Sequence, residues 1–157
     1  MSRWLALVLF LLAAFAAAAI GGVATATSVQ TWYPTLAKPP WNPPSWVFGP
    51  AWTLLYGLMS VAAWRVWVRR AELGAKATTV LRLHGLQLVL NALWSLLFFG
   101  LQRPDLALIE IVVLWTILAI IQLQLKTLDR LAAWLWAPYL GWVTFATTLN
   151  LAIWYLN

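Results

Sequence analysis

Hydrophobic residues along the chain fall into five long blocks, near 4–27, 46–68, 80–101, 106–125 and 132–156, separated by short polar or proline-rich breaks. A helix needs about 20 residues to cross the roughly 30 Å of hydrocarbon in a bilayer, and each block is about that long. Backbone N–H and C=O groups cannot stay unpaired in lipid, so each block is predicted to be an α-helix. No stretch alternates apolar and polar positions with a period of two, which argues against a barrel. The expected fold is therefore all-α, an integral membrane bundle of five transmembrane helices. It forms a single domain over residues 1–157, with a lid loop at about 28–45.

Composition supports the lipid environment. Of the 157 residues, 64% are hydrophobic and only 9% are charged. A soluble fold of this size would leave much of that apolar surface against water. Cysteine is absent, which excludes disulfides, thiolate metal sites and thiol nucleophiles. The formal net charge of +6 could suggest nucleic acid, but the basic residues sit at the ends of apolar blocks rather than on a polar face. They set membrane orientation instead. Arg3, Arg69, Arg70, Lys76, Arg82, Lys126 and Arg130 share one side of a five-span topology, with Arg65 near that end of the second span. Only Lys38 and Arg103 fall on the other. The amino terminus is thus expected in the cytoplasm and the lid loop outside.

The first block has signal-peptide features, with Arg3 before an apolar core and Ala-rich sites after it. The run from Trp4 to Ala26 is longer than a usual h-region, so a retained helix is the expected outcome. Ala14, Ala18, Gly22 and Ala26 recur every four residues. Such a stripe is either filler in an apolar span or a flat face for close helix packing, and the second reading leads to a homodimer.

The loop carries the densest local signal. Between Trp32 and Pro44 it holds five prolines (34, 39, 40, 43 and 44) and the aromatics Trp32, Tyr33 and Trp41. Proline fixes φ and stiffens the segment, so the loop is expected to be a shaped lid. An interfacial aromatic belt would explain the rings but does not need so many prolines.

Three helix faces combine aromatics with amides, hydroxyls or small residues: Trp52, Tyr56, Met59 and Ala63; Gln87, Asn91, Trp94 and Phe98; Tyr139, Trp142, Ala146 and Asn150. Amides are costly against lipid, so these faces should point inward. If they converge they line a cavity with flat aromatic walls and a few hydrogen-bonding points, suited to a large planar amphiphile. Ordinary helix packing with amide contacts explains the same pattern, and the two readings stay open at this level.

Glu110 lies well inside a span and calls for a partner, with Arg103 or a backbone amide the simplest choice. Pro138 should bend the fifth helix. The single histidine, His84, sits near the basic end of the third span and is a weak signal for haem ligation. Glycine-rich phosphate loops, Ser/His/Asp sets and metal-ligand clusters are all missing, so hydrolysis and phosphoryl transfer are excluded and no metal site is expected.

Taken in order, these pieces resemble the translocator protein family, also known as tryptophan-rich sensory proteins or peripheral benzodiazepine receptors, in a bacterial member. The resemblance runs from Trp32 to Asn150 and rests on Trp32-Tyr33, Leu36, Lys38-Pro39 and Pro43-Pro44; on Trp52 and Tyr56; on Gln87, Asn91, Trp94 and Phe98-Phe99-Gly100; and on Pro138-Tyr139-Leu140-Gly141-Trp142 followed by Phe145 to Asn150. It implies a five-helix bundle with a pocket beneath the first loop. It also implies a porphyrin or haem ligand with no intrinsic cofactor. Members of that family also take isoquinoline carboxamides and benzodiazepines, and animal members take cholesterol.

By position, the resemblance makes Trp32 and Tyr33 lid residues. Tyr56, Gln87, Asn91, Trp94, Tyr139, Ala146 and Asn150 become ligand-binding residues together with Trp52 and Trp142. Lys38 is the expected partner for porphyrin propionates. Trp52 and Trp142 also match the pair that bacterial members use in light- and oxygen-dependent porphyrin breakdown, and would be catalytic only in that case.

Two departures stand out. Leu106 replaces a tryptophan common at the start of the fourth helix, which predicts an altered pocket wall. Tyr155 is followed by Leu156 and Asn157 with no basic residue, so the sterol motif is incomplete. The leading expectation is a membrane tetrapyrrole-binding protein for sensing, transport or clearance, in a bacterial inner membrane. A porphyrin-degrading enzyme is one alternative; a lipid- or sterol-type translocator or structural membrane partner is another. Against a transporter stand the lack of inverted repeats and of ion-coupling carboxylate pairs.

Overall fold

Where the sequence has apolar blocks, the chain satisfies its backbone by helix alone. The computed structural model describes all of residues 1–157. Helix α1 spans Arg3–Thr31, α2 Phe48–Val68, α3 Arg70–Leu73, α4 Ala75–Ser95, α5 Pro104–Leu128 and α6 Arg130–Leu156. One π turn, Leu96–Gly100, extends α4, and two 3₁₀ turns, Tyr33–Thr35 and Ser45–Val47, bracket the proline-rich loop. Helices α1, α5 and α6 are longer than their apolar blocks, and α1 runs to Thr31. The lid is correspondingly shorter than the expected 28–45.

Local chemistry sets the ends. Ser2 caps α1, its Oγ accepting from Leu5 N–H at 3.2 Å. Pro104 opens α5, where a missing N–H costs nothing. Asp129 caps α6, its carboxylate accepting from Ala132 N–H at 2.9 Å. Gly74 joins α3 to α4 at φ 57° and ψ −133°, a conformation that side chains resist.

Four spans are long and apolar enough to cross a membrane: Arg3–Thr31, Ser45–Val68, Ala75–Gly100 and Pro104–Leu128. Helix α6 has the length, at 27 residues, but its Trp, Tyr, Thr and Asn side chains lower its hydropathy. The expected five transmembrane helices therefore stand at four by this measure. The short α3 was not legible as a separate element.

The five long helices close into a ring. Helix α1 packs on α2 and α4, α2 on α6, α6 on α5, and α5 on α4. The buried core centres on Met59, Val66, Leu114, Leu118, Ile121, Trp136 and Tyr139. It fills the ring toward the basic end, where Arg65 donates to Asp129 as close as 3.0 Å and Arg69 reaches it at 3.3 Å. A smaller cluster of Tyr33, Phe98, Ala107, Leu149 and Ile153 lies beneath the lid.

Candidate ligand-binding site

Between these two clusters the ring is hollow. A cavity of about 450 Å³ lies between α1, α2, α4 with its π turn, and α6, under the lid. Helix α5 contributes nothing to the lining. Indoles form much of the wall. Trp52 of α2 and Trp142 of α6 meet edge to face with ring centroids 6.3 Å apart. Phe48 abuts Trp142 at 6.0 Å. Trp94 stacks on Phe98 at 5.1 Å. Edge-to-face and offset stacking suit the ring quadrupoles, so the wall is ordered rather than a loose collection of rings.

Polar groups enter this wall at two places. At the α4–α6 side, Trp94 Nε1 donates to Asn150 Oδ1 at 3.0 Å, and Asn150 Nδ2 donates to the Pro104 carbonyl at 2.9 Å. At the floor, Tyr56 Oη donates to Asn91 Oδ1 at 2.6 Å. From there a continuous chain of bonds descends into the core. Asn91 Nδ2 donates to Tyr139 Oη at 2.7 Å, and Tyr139 Oη donates to Gln87 Oε1 at 2.7 Å. Gln87 Nε2 lies 3.3 Å from His84 Nδ1.

The lid is tied down from several directions. Tyr33 Oη donates to Asn42 Oδ1 at 2.8 Å, and the Lys38 ammonium lies 4.8 Å above the Tyr33 ring while donating to the Leu36 carbonyl at 3.0 Å. Asn157 clips the backbone of Ala37, accepting from its N–H at 3.0 Å and donating to its carbonyl at 2.9 Å. Below, Ser28 Oγ donates to the Phe99 carbonyl at 2.6 Å in the π turn, fixing α1 to α4 at the cavity rim. Burial raises the Tyr33 phenol above its ordinary pKa, with the bond to Asn42 opposing in part, so it stays neutral.

The site residues expected from sequence divide cleanly. Tyr33, Trp52, Tyr56, Asn91, Trp94, Trp142, Ala146 and Asn150 line the cavity. Gln87 and Tyr139 are fully buried behind its floor. Trp32 packs its ring on Phe98 at 5.8 Å and supports the wall from outside. Lys38 belongs to the lid, held against Tyr33 rather than in the hollow.

Three other expectations change. Glu110 does not pair with Arg103, which bonds Asp105 at 2.6 Å; both Glu110 carboxylate oxygens are buried without a partner. His84 is only 3% exposed and wedged between Phe10 and Trp136, away from the cavity, so it does not face a ligand. Leu106 is 37% exposed and lines no part of the cavity, so the pocket wall stands without it.

Helix α1 supplies what the sequence reading missed. Phe15, Ala18, Gly22, Thr25, Ala26 and Val29 complete the wall. The four-residue spacing of small side chains is visible in the sequence, where filler in an apolar span and a flat packing face both explain it. Gly21 makes the close approach, where an added Cβ would lie 2.9 Å from Ser95 Oγ.

The whole chain, and not only this site, has known counterparts. It matches the TspO/MBR family over residues 8–156. The chain belongs to the TspO/MBR family. It is 44% identical to a tryptophan-rich protein TspO from Archaeoglobus fulgidus, covering 98% of this chain and 97% of that one. It is 43% identical to a tryptophan-rich sensory protein of Cereibacter sphaeroides, over 89% and 87% of the two chains. Against the human translocator protein the identity is 38%, over 78% and 73%. TspO/MBR membership and the four apolar spans together make this an integral membrane protein.

Proposed function

We propose that this TspO/MBR protein binds a tetrapyrrole, a porphyrin or haem, in the cavity beneath its lid, for sensing, transport or clearance of that ligand. One observation carries the reading: the indoles of Trp52, Trp94 and Trp142 converge from three helices on one hollow that also holds the amides of Asn91 and Asn150. Flat conjugated rings stack on such walls for about 1 kcal/mol per contact beyond area burial. The acidic edge of the ligand would face the lid, where Lys38 lies and water is near, because unpaired carboxylates are expensive to bury. A haem bound here takes no axial ligand from the one histidine, which is sealed in the core.

In this reading all five long helices span the membrane, because Trp136, Tyr139, Trp142 and Asn150 of α6 turn their polar groups to the cavity or the bundle. The ends rich in Lys and Arg support an amino terminus in the cytoplasm and a bacterial inner membrane. Ala18, Gly22 and Ala26 border the cavity on its α1 flank. A second copy packed there would form a homodimer and cover that flank.

The test is titration of protoporphyrin into detergent-purified protein with tryptophan fluorescence as readout. Saturable quenching is expected, with Trp52→Phe plus Trp142→Phe removing most of it. Quenching that never saturates, or that ignores both substitutions, rejects the assignment.

The contact between Trp52 and Trp142 favours one second reading, light- and oxygen-dependent porphyrin degradation. Indole is the most readily oxidised of the aromatic side chains, and these two share an edge on the cavity surface. Product formation under light and oxygen, lost in either single phenylalanine variant, would establish it. Equal bleaching in empty micelles would remove it. A sterol ligand is the weaker reading, since Tyr155 is 83% exposed and lines no part of the cavity.

A further inference from the structure

The cavity beneath the lid has an open side. Helices α1 and α2 are joined at the basic end, where Trp4 stacks on Trp64 at 5.9 Å and Trp64 Nε1 donates to the Arg3 carbonyl at 2.7 Å. Ser60 Oγ of α2 also lies 3.3 Å from the Phe10 carbonyl. Toward the lid, α1 turns from α2 to α4. Gly21 sits against Ser95 there, Ala24 lies beside Gly100, and Ser28 Oγ donates to the Phe99 carbonyl. Above Phe15, whose ring meets Tyr56 at 6.0 Å, no side-chain hydrogen bond or ring contact joins α1 to α2.

A slot results. Gly22 and Ala26 of α1 and Gly49 and Thr53 of α2 all line the cavity, and all are exposed on the outside of the bundle. A wall residue that is also exposed marks the edge of an opening. A Cβ added to Gly22 or Gly49 would meet no atom within 4 Å. The edges are apolar in effect, because their hydroxyls are turned to their own helices. Thr25 Oγ1 donates to the Gly21 carbonyl at 2.7 Å, and Thr53 Oγ1 to the Gly49 carbonyl at 2.9 Å. From Phe15, near the middle of α1, to Ala26 the slot runs about 16 Å at helical rise. One leaflet of hydrocarbon is about 15 Å deep, half the bilayer core.

We infer that the slot takes a hydrocarbon tail of the ligand, so that the cavity suits a tetrapyrrole monoester. The flat ring lies inside, one free carboxylate stays beside the lid near Lys38, and a long-chain ester runs out between α1 and α2 into the bilayer. This rests on the tetrapyrrole reading above and deepens it. An ester has no charge to bury, and its chain exchanges one apolar surrounding for another at the slot. A second copy seated on the same flank would close the slot, so tail and second copy exclude one another.

Tryptophan quenching in lipid nanodiscs tests this, with protoporphyrin monomethyl ester set against the monohexadecyl ester and each expressed as a mole fraction of lipid. The two should saturate the parent within about twofold of one another, because the longer tail lies in hydrocarbon whether bound or free. Gly22→Phe plus Gly49→Phe fills the slot. The hexadecyl ester should then weaken about tenfold relative to the methyl ester, the cost of forcing a chain into occupied space. That ratio is the readout, and Ala26→Phe should move it in the same direction by itself. A hexadecyl ester already that much weaker in the parent would overturn the inference, as would a ratio unmoved in both variants. Gly22→Cys, in a chain with no other cysteine, probes the rival occupant: a disulfide between two copies in membranes would show the slot covered and remove the tail from it. Failure of both esters to saturate would sink the tetrapyrrole reading and this inference together, whereas failure of the hexadecyl ester alone sinks only the tail.

Discussion

Asn91 Nδ2 donates to Tyr139 Oη at 2.7 Å, and that bond joins the floor of the cavity to the solid half of the bundle. Both residues are more than nine-tenths buried, and each has a second partner, Tyr56 for Asn91 and Gln87 for Tyr139. The amide and phenol groups thus serve two purposes. They satisfy one another inside an apolar ring, and they fix the orientation of the side chains that a ligand meets. A polar chain of this kind rigidifies only when every member is paired.

Tyr139→Phe should therefore cost more than one hydrogen bond. It leaves Gln87 Oε1 and Asn91 Nδ2 buried without their partner, a loss of about 1–3 kcal/mol for each such group. A fall in melting temperature in detergent is expected, together with weaker porphyrin binding through a mobile Asn91. A variant as stable as the parent would show that water or a rearranged amide replaces the phenol.

Asn150→Leu tests the other polar entry. It removes the acceptor of Trp94 Nε1 and the donor to the Pro104 carbonyl, so the indole and the start of α5 both lose an anchor. A destabilisation of about 1–3 kcal/mol is expected, with altered Trp94 fluorescence as its specific sign. An unchanged emission maximum would mean that the indole N–H finds another acceptor.

Glu110→Leu should have the opposite effect. The carboxylate is buried with no partner, and an unpaired polar group in such a place is a cost that a similar-sized apolar residue removes. Equal or higher melting temperature is expected. A loss of about 2 kcal/mol or more would show that Glu110 bonds an ion or group essential to the bundle.

The Asp129 clamp predicts a pH dependence at the basic end. Burial pushes this carboxyl up, but the Ala132 N–H, Arg65 and Arg69 together outweigh it and hold the pKa below its ordinary value. A carboxyl depressed by folding stabilises fully above its unfolded pKa of about 4, and loses that contribution as pH falls below it. The parent should exceed Asp129→Asn in melting temperature at pH 7, and the gap should close toward pH 3. A gap that does not change with pH would assign the effect to the helix cap alone.

How far the sequence speaks differs between fold and site. Block length and basic ends placed the five long helices within a few residues, because lipid leaves the backbone almost no alternative to helix. The inward faces of α2, α4 and α6 were legible because an amide among indoles has few favourable places in a membrane. Helix α1 was not, since Ala18 and Gly22 carry no chemistry of their own, and a cavity wall of small residues looks like a packing face. Glu110 failed for a related reason. A charge in a span calls for a partner, but sequence cannot show that Arg103 is already taken by Asp105, its neighbour two residues on.

The lid offers the last prediction. Its prolines restrict the backbone from within, yet the clip that holds it against α6 is the Asn157 side chain on Ala37, with bonds of 3.0 and 2.9 Å in both directions. These bonds are exposed, so their net contribution is small, about 1 kcal/mol for the pair. A ligand beneath the lid leaves through the open state, whose population rises by the same factor that the clip suppressed, roughly fivefold. Asn157→Ala should therefore speed porphyrin release about fivefold in stopped-flow displacement while leaving the melting temperature nearly unchanged. Trp32→Ala should instead lower stability, because that ring is packed on Phe98. If release is as slow in Asn157→Ala as in the parent, the lid is held by Tyr33 and its contacts alone, and the ligand leaves by another path.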